Sequence, residues 1–223
     1  MGKQVRAVLL DVDGTLIDSN DAHARAWVDV GAEFGHRIRF DEVRWLVGMG
    51  GDKVLPKLTG IEEDSDEGQR ISERRGEIFR EQYLPSLEPF PAVHKLVDRM
   101  RADGLRLVIA TSASETDLKA LLERAELTSL LKQSTNSDDA DESKPAPDIV
   151  EAALKEAGVE ASQAVMIGDT PYDVEAAARA GVPIIGVRCG GWSAEELHGA
   201  AEVYDDPADL LRRYNDSLLS REA

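Results

Sequence analysis

The sequence is short of cysteine, of basic residues and of long apolar runs. Its 223 residues include one cysteine, Cys189, which excludes an intramolecular disulfide and a zinc site built on paired cysteines. The 26 lysines and arginines are outnumbered by 43 aspartates and glutamates, and a net charge of −17 disfavours nucleic acid and anionic membranes as partners. The longest apolar runs, residues 7–10 and 182–187, are far shorter than the roughly 20 residues of a membrane-spanning helix.

The hydrophobic content is nevertheless typical of a globular protein. At 42% it provides a sizeable core, so the acidic residues are expected to cover a folded surface. The acidic runs at residues 62–67 and 138–142 are accordingly expected to be solvated loops and not metal sites. Lys3 and Arg6 precede only a short apolar stretch, too short for the core of a signal peptide, and we expect a cytoplasmic protein.

Short apolar segments alternate with helical patterns along the chain. The segments that predict strands are residues 5–10, 105–110, 164–167, 183–187 and 202–204. The patterns that predict helices between them are residues 92–102, 115–125, 147–157 and 174–180. This order is typical of an α/β protein, and we expect a Rossmann-like, doubly wound parallel sheet with helices on both faces.

The first two predicted strands lie about ninety residues apart, far more than one crossover helix requires. Four helical patterns fill the interval, at residues 21–34, 40–46, 52–58 and 67–83. We therefore expect an inserted helical cap at residues 18–85 and an α/β catalytic core formed by residues 1–17 and 86–223. Because loops absorb domain motions, hinges are expected near residues 18–20 and 85–89.

Two carboxylates follow the first predicted strand, in the segment Asp11-Val12-Asp13-Gly14-Thr15. In an open α/β sheet, ligands collect at the carboxyl ends of the strands, so both side chains can turn into that crevice. One carboxylate could then act as a nucleophile or metal ligand while the other transfers protons. A turn or a helix cap accounts for the same residues equally well, because aspartate and glycine are common there for local reasons.

Two further carboxylates, Asp169 and Asp173, follow the strand predicted at residues 164–167. Helix capping explains Asp173 but leaves Asp169 unexplained. Four carboxylates in one crevice would repel each other unless a cation were bound, and oxygen ligands with room for water suit Mg²⁺. The residue pattern therefore predicts a magnesium site among Asp11, Asp13, Asp169 and Asp173.

Hydroxyl and ammonium groups occur beside two other element ends. Thr111 and Ser112 follow the strand predicted at residues 105–110, where hydroxyls and successive backbone N–H groups can bind an anion. An ordinary N-cap for the next helix accounts for this segment as well. Lys144 lies in a loop stiffened by two prolines, and beside a phosphoryl group its ammonium would balance negative charge.

These segments, taken in order, resemble the four motifs of the haloacid dehalogenase superfamily. The matching segments are Asp11-x-Asp13-Gly14-Thr15, Thr111 after a strand, Lys144-Pro145 and Gly168-Asp169-x-x-x-Asp173. The resemblance covers the whole predicted core, residues 1–17 and roughly 86–210, and the inserted helices are similar to the small cap of that superfamily.

The resemblance implies a role for each core residue. Asp11 would attack phosphorus and become an aspartyl-phosphate, while Asp13 would protonate the leaving alcohol and then accept a proton from water. Thr111, the Ser112 amide and Lys144 would hold the phosphoryl oxygens. Such roles agree with the physical expectation that phosphoryl transfer depends mostly on positioning and charge stabilisation.

The resemblance also implies a ligand set for Mg²⁺. The ion would be bound by the Asp11 carboxylate, the Asp13 backbone carbonyl and the Asp169 carboxylate, with Asp173 orienting a bound water. True 2-haloacid dehalogenases lack an acid two residues after the nucleophile and need no metal, so the presence of Asp13 disfavours dehalogenation.

Two branches of the superfamily have a cap similar to the one predicted. His23 and the residues after it resemble the start of the cap of β-phosphoglucomutase, but residues 47–52 lack the basic side chains that bind its second phosphate, and Lys53 is the nearest candidate. The pattern is more similar to the phosphoglycolate phosphatase-like branch, which hydrolyses small phosphate monoesters. His23 either touches the substrate or packs near Trp27.

The resemblance therefore predicts a Mg²⁺-dependent phosphatase for a small phosphorylated metabolite, and relatives of this kind are monomers or homodimers. A phosphosugar mutase with the same core residues is one alternative. The other is a non-catalytic protein that senses a phosphorylated ligand, which the intact pair Asp11 and Asp13 disfavours. The glycine-rich loop at residues 48–53 is expected to bring backbone close to the substrate. The substrate-binding candidates are Gly14, Thr15, Ser112, His23, Gly51 and Lys53.

Overall fold

The computed structural model describes residues 5–132, 134–137 and 142–220. Its sheet contains six parallel strands in the order β3-β2-β1-β4-β5-β6. Central β1 pairs with β2 on one side and β4 on the other, with Leu10 opposite Ile109 and Ile167. The predicted doubly wound parallel sheet is confirmed. The strands are β1 Ala7–Leu10, β2 Arg106–Ala110, β3 Ser134–Thr135, β4 Ala164–Gly168, β5 Ile184–Val187 and β6 Glu202–Tyr204.

Each face of the sheet packs against its own hydrophobic layer. Successive side chains of a strand point to opposite faces, and in β1 the side chains of Val8 and Leu10 join one buried cluster while those of Ala7 and Leu9 join another. All four are fully buried, as expected for a strand covered on both sides. The helices of the core are α5 Val93–Ala102, α6 Glu115–Arg124, α7 Asp148–Ala157, α8 Pro171–Arg179 and α9 Pro207–Arg212.

A helical insertion separates β1 from β2, as predicted. Its first helix packs against the second and the fourth, and a π-helical turn, Phe79–Tyr83, extends the fourth. Trp27 and Phe79 are among its buried side chains. We call this insertion the cap, and its boundaries at residues 18 and 85 stay a prediction. The helices are α1 Asn20–Glu33, α2 Phe40–Arg44, α3 Gly51–Thr59 and α4 Asp66–Ile78.

The sequence patterns did not predict β3 or α9. Strand β3 has only two residues and no apolar run, so its place at the sheet edge depends on pairing with Ile109 and Ala110. Helix α9 is short, although Asp206 caps it by accepting a hydrogen bond from the Asp209 N–H at 2.7 Å. Residues 138–141 of the predicted acidic loop lie outside the described residues. Among the described residues, no helix combines the length and apolarity needed to cross a membrane.

Candidate active site

Three buried carboxylates meet where β1 and β4 end. Asp11 directly follows β1, Asp169 directly follows β4, and Asp173 lies in the first turn of α8. Each offers an oxygen, and these oxygens lie within 4.8 Å of one another. Because β1 and β4 flank the point where the strand order reverses, this is the crevice in which doubly wound sheets bind ligands.

The ammonium of Lys144 lies between two of these carboxylates. Its Nζ is 2.6 Å from Asp11 Oδ1 and 2.7 Å from Asp173 Oδ1, and the side chain is 1% exposed. Burial alone would lower the pKa of Lys144, but the Asp11 and Asp173 carboxylates raise it above its usual value, so the group stays charged.

One buried ammonium does not balance three buried carboxylates. Burial raises the pKa of Asp11 from 3.8 to about 7, against the lowering effect of Lys144, and burial with the Asp11 charge raises the pKa of Asp169 well above its usual value. The formal excess of two negative charges matches one divalent cation. The triad of Asp11, Asp169 and Asp173 can therefore bind a metal ion, and its oxygen-only donor set fits Mg²⁺.

Hydrogen bonds orient the Asp169 carboxylate. Thr15 Oγ1 donates to Oδ1 at 3.1 Å, and Asn20 Nδ2 donates to Oδ2 at 2.9 Å. Gly14 adopts a φ of +77°, and a Cβ there would lie 2.2 Å from Asn20 Nδ2 and 2.3 Å from Asp169 Oδ2. The substrate-binding candidates Gly14 and Thr15 thus lie against Asp169.

Asp173 both caps α8 and belongs to the carboxylate triad. Its Oδ2 accepts from the Thr170 N–H at 3.0 Å, and Thr170 Oγ1 accepts from the Asp173 N–H at 3.1 Å. This reciprocal capping box leaves Oδ1 facing Lys144. The capping explanation of Asp173 and the metal-site explanation are therefore compatible.

The Asp13 side chain faces the cap. Its Oδ1 lies 2.8 Å from His23 Nε2 and accepts from Ser19 Oγ at 2.5 Å. Burial alone would raise the pKa of Asp13, but His23, Ser19 and Arg75 together lower it below the usual value. The His23 ring stacks on Phe79 with centroids 4.0 Å apart. His23 therefore packs within the cap and also reaches the core carboxylate.

A pocket opens between the cap and the carboxyl ends of the strands. The Lys53 side chain does not line it, because its Nζ donates to the Ser143 carbonyl at 2.6 Å and lies 3.5 Å from Glu142. The backbone N–H of Gly50 donates to Ser143 Oγ at 3.2 Å, which fixes the glycine-rich loop beside Lys144. The pocket is lined by Asp11, Asp13, His23, Trp27, Val47, Gly48, Met49, Gly51, Val54, Arg75, Thr111, Ser112, Ala113 and Asp117.

Arg75 brings a cation from α4 to this pocket. Its Nη1 lies 3.3 Å from His23 Nδ1 and 3.3 Å from Asp117 Oδ2, and its guanidinium lies 5.5 Å from the centre of the Trp27 ring. Asp117, on α6, also pairs with Arg80 at 2.5 Å. The Nε atom of Arg75 is buried and has no hydrogen-bond partner among the described residues. Among the described residues that line the pocket, Arg75 provides the one arginine or lysine side chain.

A family model described as "Haloacid dehalogenase-like hydrolase" matches residues 8–187, most of the chain. The protein belongs to this hydrolase family. The structure of a hydrolase from Pseudomonas syringae is similar to this hydrolase with a TM-score of 0.88 and 28% sequence identity, covering 95% of this chain and 98% of that one.

Two curated relatives extend the comparison. A phosphoglycolate phosphatase of Rhodospirillum rubrum is 32% identical over 216 residues, which cover 92% of this chain and 89% of that protein. The protein SUPPRESSOR OF QUENCHING 1, chloroplastic, of Arabidopsis thaliana is 36% identical over 189 residues, 83% of this chain. The match spans only 18% of that longer protein.

The hydrolase brings most of the predicted site residues to one place. Those within the carboxylate cluster or lining the pocket are Asp11, Asp13, Asp169, Asp173, Lys144, Thr111, Ser112, His23 and Gly51. Sequence reasoning missed Arg75 and Asp117. A signal for Arg75 was present, because residues 71, 75 and 79 lie on one helical face and both Ile71 and Phe79 are apolar. The signal for Asp117 was absent, since it occupies an ordinary position in the first turn of α6.

Proposed function

We propose that this hydrolase is a Mg²⁺-dependent phosphatase that cleaves small organic phosphate monoesters through an aspartyl-phosphate intermediate. The observation that supports it most directly is the meeting of Asp11, Asp169 and Asp173 with the Lys144 ammonium, because Asp11 also lines the pocket beside the cap. A nucleophile beside a cation and a candidate metal site is the arrangement that phosphoryl transfer requires.

In the proposed reaction, the Asp11 carboxylate attacks phosphorus while the ester P–O bond breaks. In its protonated form, Asp13 gives a proton to the leaving alkoxide, which departs as an alcohol, and it regains a proton from the water that attacks the aspartyl-phosphate. Phosphate is released and the Asp11 carboxylate is restored. When bound, Mg²⁺ would neutralise charge on the phosphoryl oxygens. The hydrogen bonds from His23 and Ser19 orient Asp13 towards the pocket for both proton transfers.

In this proposal the side chains of Thr111 and Lys144 bind the phosphoryl group. Thr111 is 1% exposed, and its Oγ1 accepts from the Ala113 N–H at 3.2 Å. Among the described residues its hydroxyl proton is given to no acceptor, so it can be donated to a phosphoryl oxygen. Ser112 Oγ accepts from the Lys144 N–H at 3.4 Å and so links the two anion-binding segments. The Lys144 ammonium would balance the charge that develops on the transferred group.

The cap side of the pocket favours a substrate with a second negative group. Arg75 supplies the positive charge there, and a guanidinium binds a carboxylate or phosphate through paired hydrogen bonds. Phosphoglycolate carries a carboxylate next to its phosphate ester, and we propose this compound or a close analogue as the substrate. The name of the Rhodospirillum rubrum relative agrees with this choice.

Phosphate release tests the proposal. Wild-type protein is assayed on p-nitrophenyl phosphate, phosphoglycolate and a panel of small phosphate esters, with Mg²⁺ and with chelator. We expect turnover only with the metal, and we expect Asp11→Asn to abolish it. Asp98→Asn is the matched control, because Asp98 is exposed on α5 and does not line the pocket.

Three results would contradict the proposal. One is the absence of metal-dependent turnover across the panel. Another is activity in Asp11→Asn equal to that of the control. The third is efficient interconversion of β-glucose 1-phosphate and glucose 6-phosphate with a bisphosphate primer, which would favour a mutase.

A further inference from the structure

A cap residue, Asn20, donates a hydrogen bond to a core carboxylate, that of Asp169. Asn20 is the first residue of α1 and is 2% exposed. Its Nδ2 donates to Asp169 Oδ2 at 2.9 Å and to the Gly190 carbonyl at 3.1 Å. Asn20 does not line the pocket and contacts neither Asp11 nor Asp13 among the hydrogen bonds of the described residues. Its polar contacts therefore point to Asp169 and not to a substrate.

Two glycines make room for this contact. A Cβ at Gly190 would lie 1.7 Å from Asp169 Oδ2, and a Cβ at Gly14 would lie 2.2 Å from Asn20 Nδ2. A side chain at either position would force its neighbours to shift, so glycine at both positions lets the backbone lie close to the Asn20 amide and the Asp169 carboxylate. The Asn20 amide thus reaches the Gly190 carbonyl, 170 residues away in the chain.

The Gly190 carbonyl accepts a second hydrogen bond from the cap. Arg44, the last residue of α2, donates to it through Nη2 and donates through Nε to Asp21 Oδ1 at 2.7 Å. Asp21 is the chain neighbour of Asn20. Arg44 therefore links the carbonyl that Asn20 uses to the helix that carries Asn20.

Aromatic residues extend the same contact. The Trp45 ring meets the Trp192 ring edge-on at a centroid distance of 4.7 Å, and Tyr172 Oη donates to the Trp45 carbonyl at 2.6 Å. Tyr172 lies between Asp169 and Asp173 in the chain, and Trp192 lies two residues after Gly190. The corner formed by Arg44 and Trp45 thus touches both core segments that border Asp169.

We propose that Asn20 and Arg44 are positioning residues that orient Asp169 for Mg²⁺ and couple metal binding to the seating of the cap on the core. The inference rests on the proposed magnesium site. Coupling is reciprocal, so a cap contact that favours the metal-binding orientation of Asp169 is itself strengthened by the metal. Partners that orient a metal ligand typically contribute about 10- to 100-fold to metal affinity.

Mg²⁺ affinity of the purified full chain, measured by isothermal titration calorimetry, tests this coupling. We expect Asn20→Ala to weaken binding by about 10- to 100-fold and Arg44→Ala by roughly 3- to 10-fold. Arg74→Ala is the control, because Arg74 is a cap arginine that pairs with Glu33 and Glu77 of the cap and should leave the affinity within about twofold of wild type.

Two further measurements separate positioning from general structural support. First, kcat of Arg44→Ala should return close to the wild-type value at saturating Mg²⁺. A variant with a damaged fold would keep a low kcat even at saturating Mg²⁺. Second, the variant with both substitutions should bind Mg²⁺ about as weakly as Asn20→Ala alone, since the two act through one carboxylate. Two of the three tryptophans lie at this contact, so Mg²⁺ should also change the tryptophan fluorescence of the wild type but less that of Arg44→Ala.

The outcomes distinguish this inference from the proposed function. If the wild type binds no Mg²⁺, both are overturned. If it binds Mg²⁺ and Arg44→Ala binds equally well, only the inference is overturned. If the losses of Mg²⁺ binding free energy in the two single variants add fully in the double variant, the inference that both residues act through Asp169 is overturned. Arg44→Lys retains a donor and a charge, and recovery of affinity in this variant would support the role of the Gly190 contact.

Discussion

His23 Nε2 lies 2.8 Å from Asp13 Oδ1, so a cap side chain hydrogen-bonds the proposed acid/base of the core. The other ring nitrogen, Nδ1, faces Nη1 of Arg75 at 3.3 Å. A guanidinium only donates, so the tautomer that satisfies both contacts carries its proton on Nε2. The orientation of the Asp13 side chain therefore depends on where the cap holds His23.

Replacing His23 should change the pH dependence of catalysis. In His23→Ala the burial that raises the pKa of Asp13 persists while the main opposing contact is lost, so the pKa of Asp13 rises. We expect the limb of the kcat/KM profile that reports Asp13 to move to higher pH. His198→Ala is the control, since His198 is exposed and does not line the pocket. An unchanged profile in His23→Ala would show that this contact does not govern the proton transfers.

Adjacent arginines on α4 provide a matched test of substrate recognition. We expect Arg75→Ala to lower kcat/KM for phosphoglycolate by about 10- to 100-fold, the effect of losing a charged hydrogen-bonding partner, and to change kcat/KM for p-nitrophenyl phosphate much less. The cause would be the lost contact with the second anion. Arg74→Ala should leave both values near wild type, because Arg74 pairs with Glu33. Equal losses on both substrates in Arg75→Ala would indicate a general effect on the pocket instead.

The strand-end residues of this site could be predicted from the sequence, and the contacts that cross the chain could not. Asp11 and Asp169 follow apolar runs, and the rule that ligands collect at strand ends places them together. No local pattern connects Asn20 to Gly190 or Arg75 to Asp117, because these pairs meet only once the cap has folded back on the core. Likewise, the two residues of β3 carry no strand signal and become a strand by pairing with β2.

Removing the buried ammonium should make the protein depend on metal for stability. In Lys144→Met, Asp11 and Asp173 lose the cation that lies 2.6 and 2.7 Å from them. Breaking a buried ion pair in this way typically costs about 3–5 kcal/mol. We expect urea denaturation in chelator to show a loss of this order, and Mg²⁺ to restore part of it. An unfolding midpoint equal to that of the wild type in chelator would contradict the assigned charge balance.

The raised pKa values of Asp11 and Asp169 also set how stability depends on pH without metal. Their carboxyl groups ionise near 3.8 in the unfolded chain, but the pKa of Asp11 is about 7 in the folded protein and that of Asp169 is well above its usual value. At pH values between the unfolded-state and folded-state pKa of each carboxyl group, the folded state binds more protons than the unfolded state. The free energy of unfolding therefore falls as pH rises through this range. Asp13 has a lowered pKa in the folded protein, so its ionisation makes the free energy of unfolding rise with pH. This opposite effect is confined to pH values below about 3.8, the pKa of Asp13 in the unfolded chain.

Thermal unfolding in chelator should therefore give a lower Tm at pH 8 than at pH 5.5. Each proton bound only by the folded state changes the free energy of unfolding by about 1.4 kcal/mol per pH unit. Added Mg²⁺ binds the ionised carboxylates and competes with these protons, so it should raise Tm more at pH 8 than at pH 5.5. Asp11→Asn removes one of the two titrating groups and should flatten the profile in chelator. A Tm in chelator that does not fall over this interval would mean that the carboxylates are already ionised in the folded protein at pH 5.5, with Lys144 and neighbouring hydrogen-bond donors alone stabilising their charge.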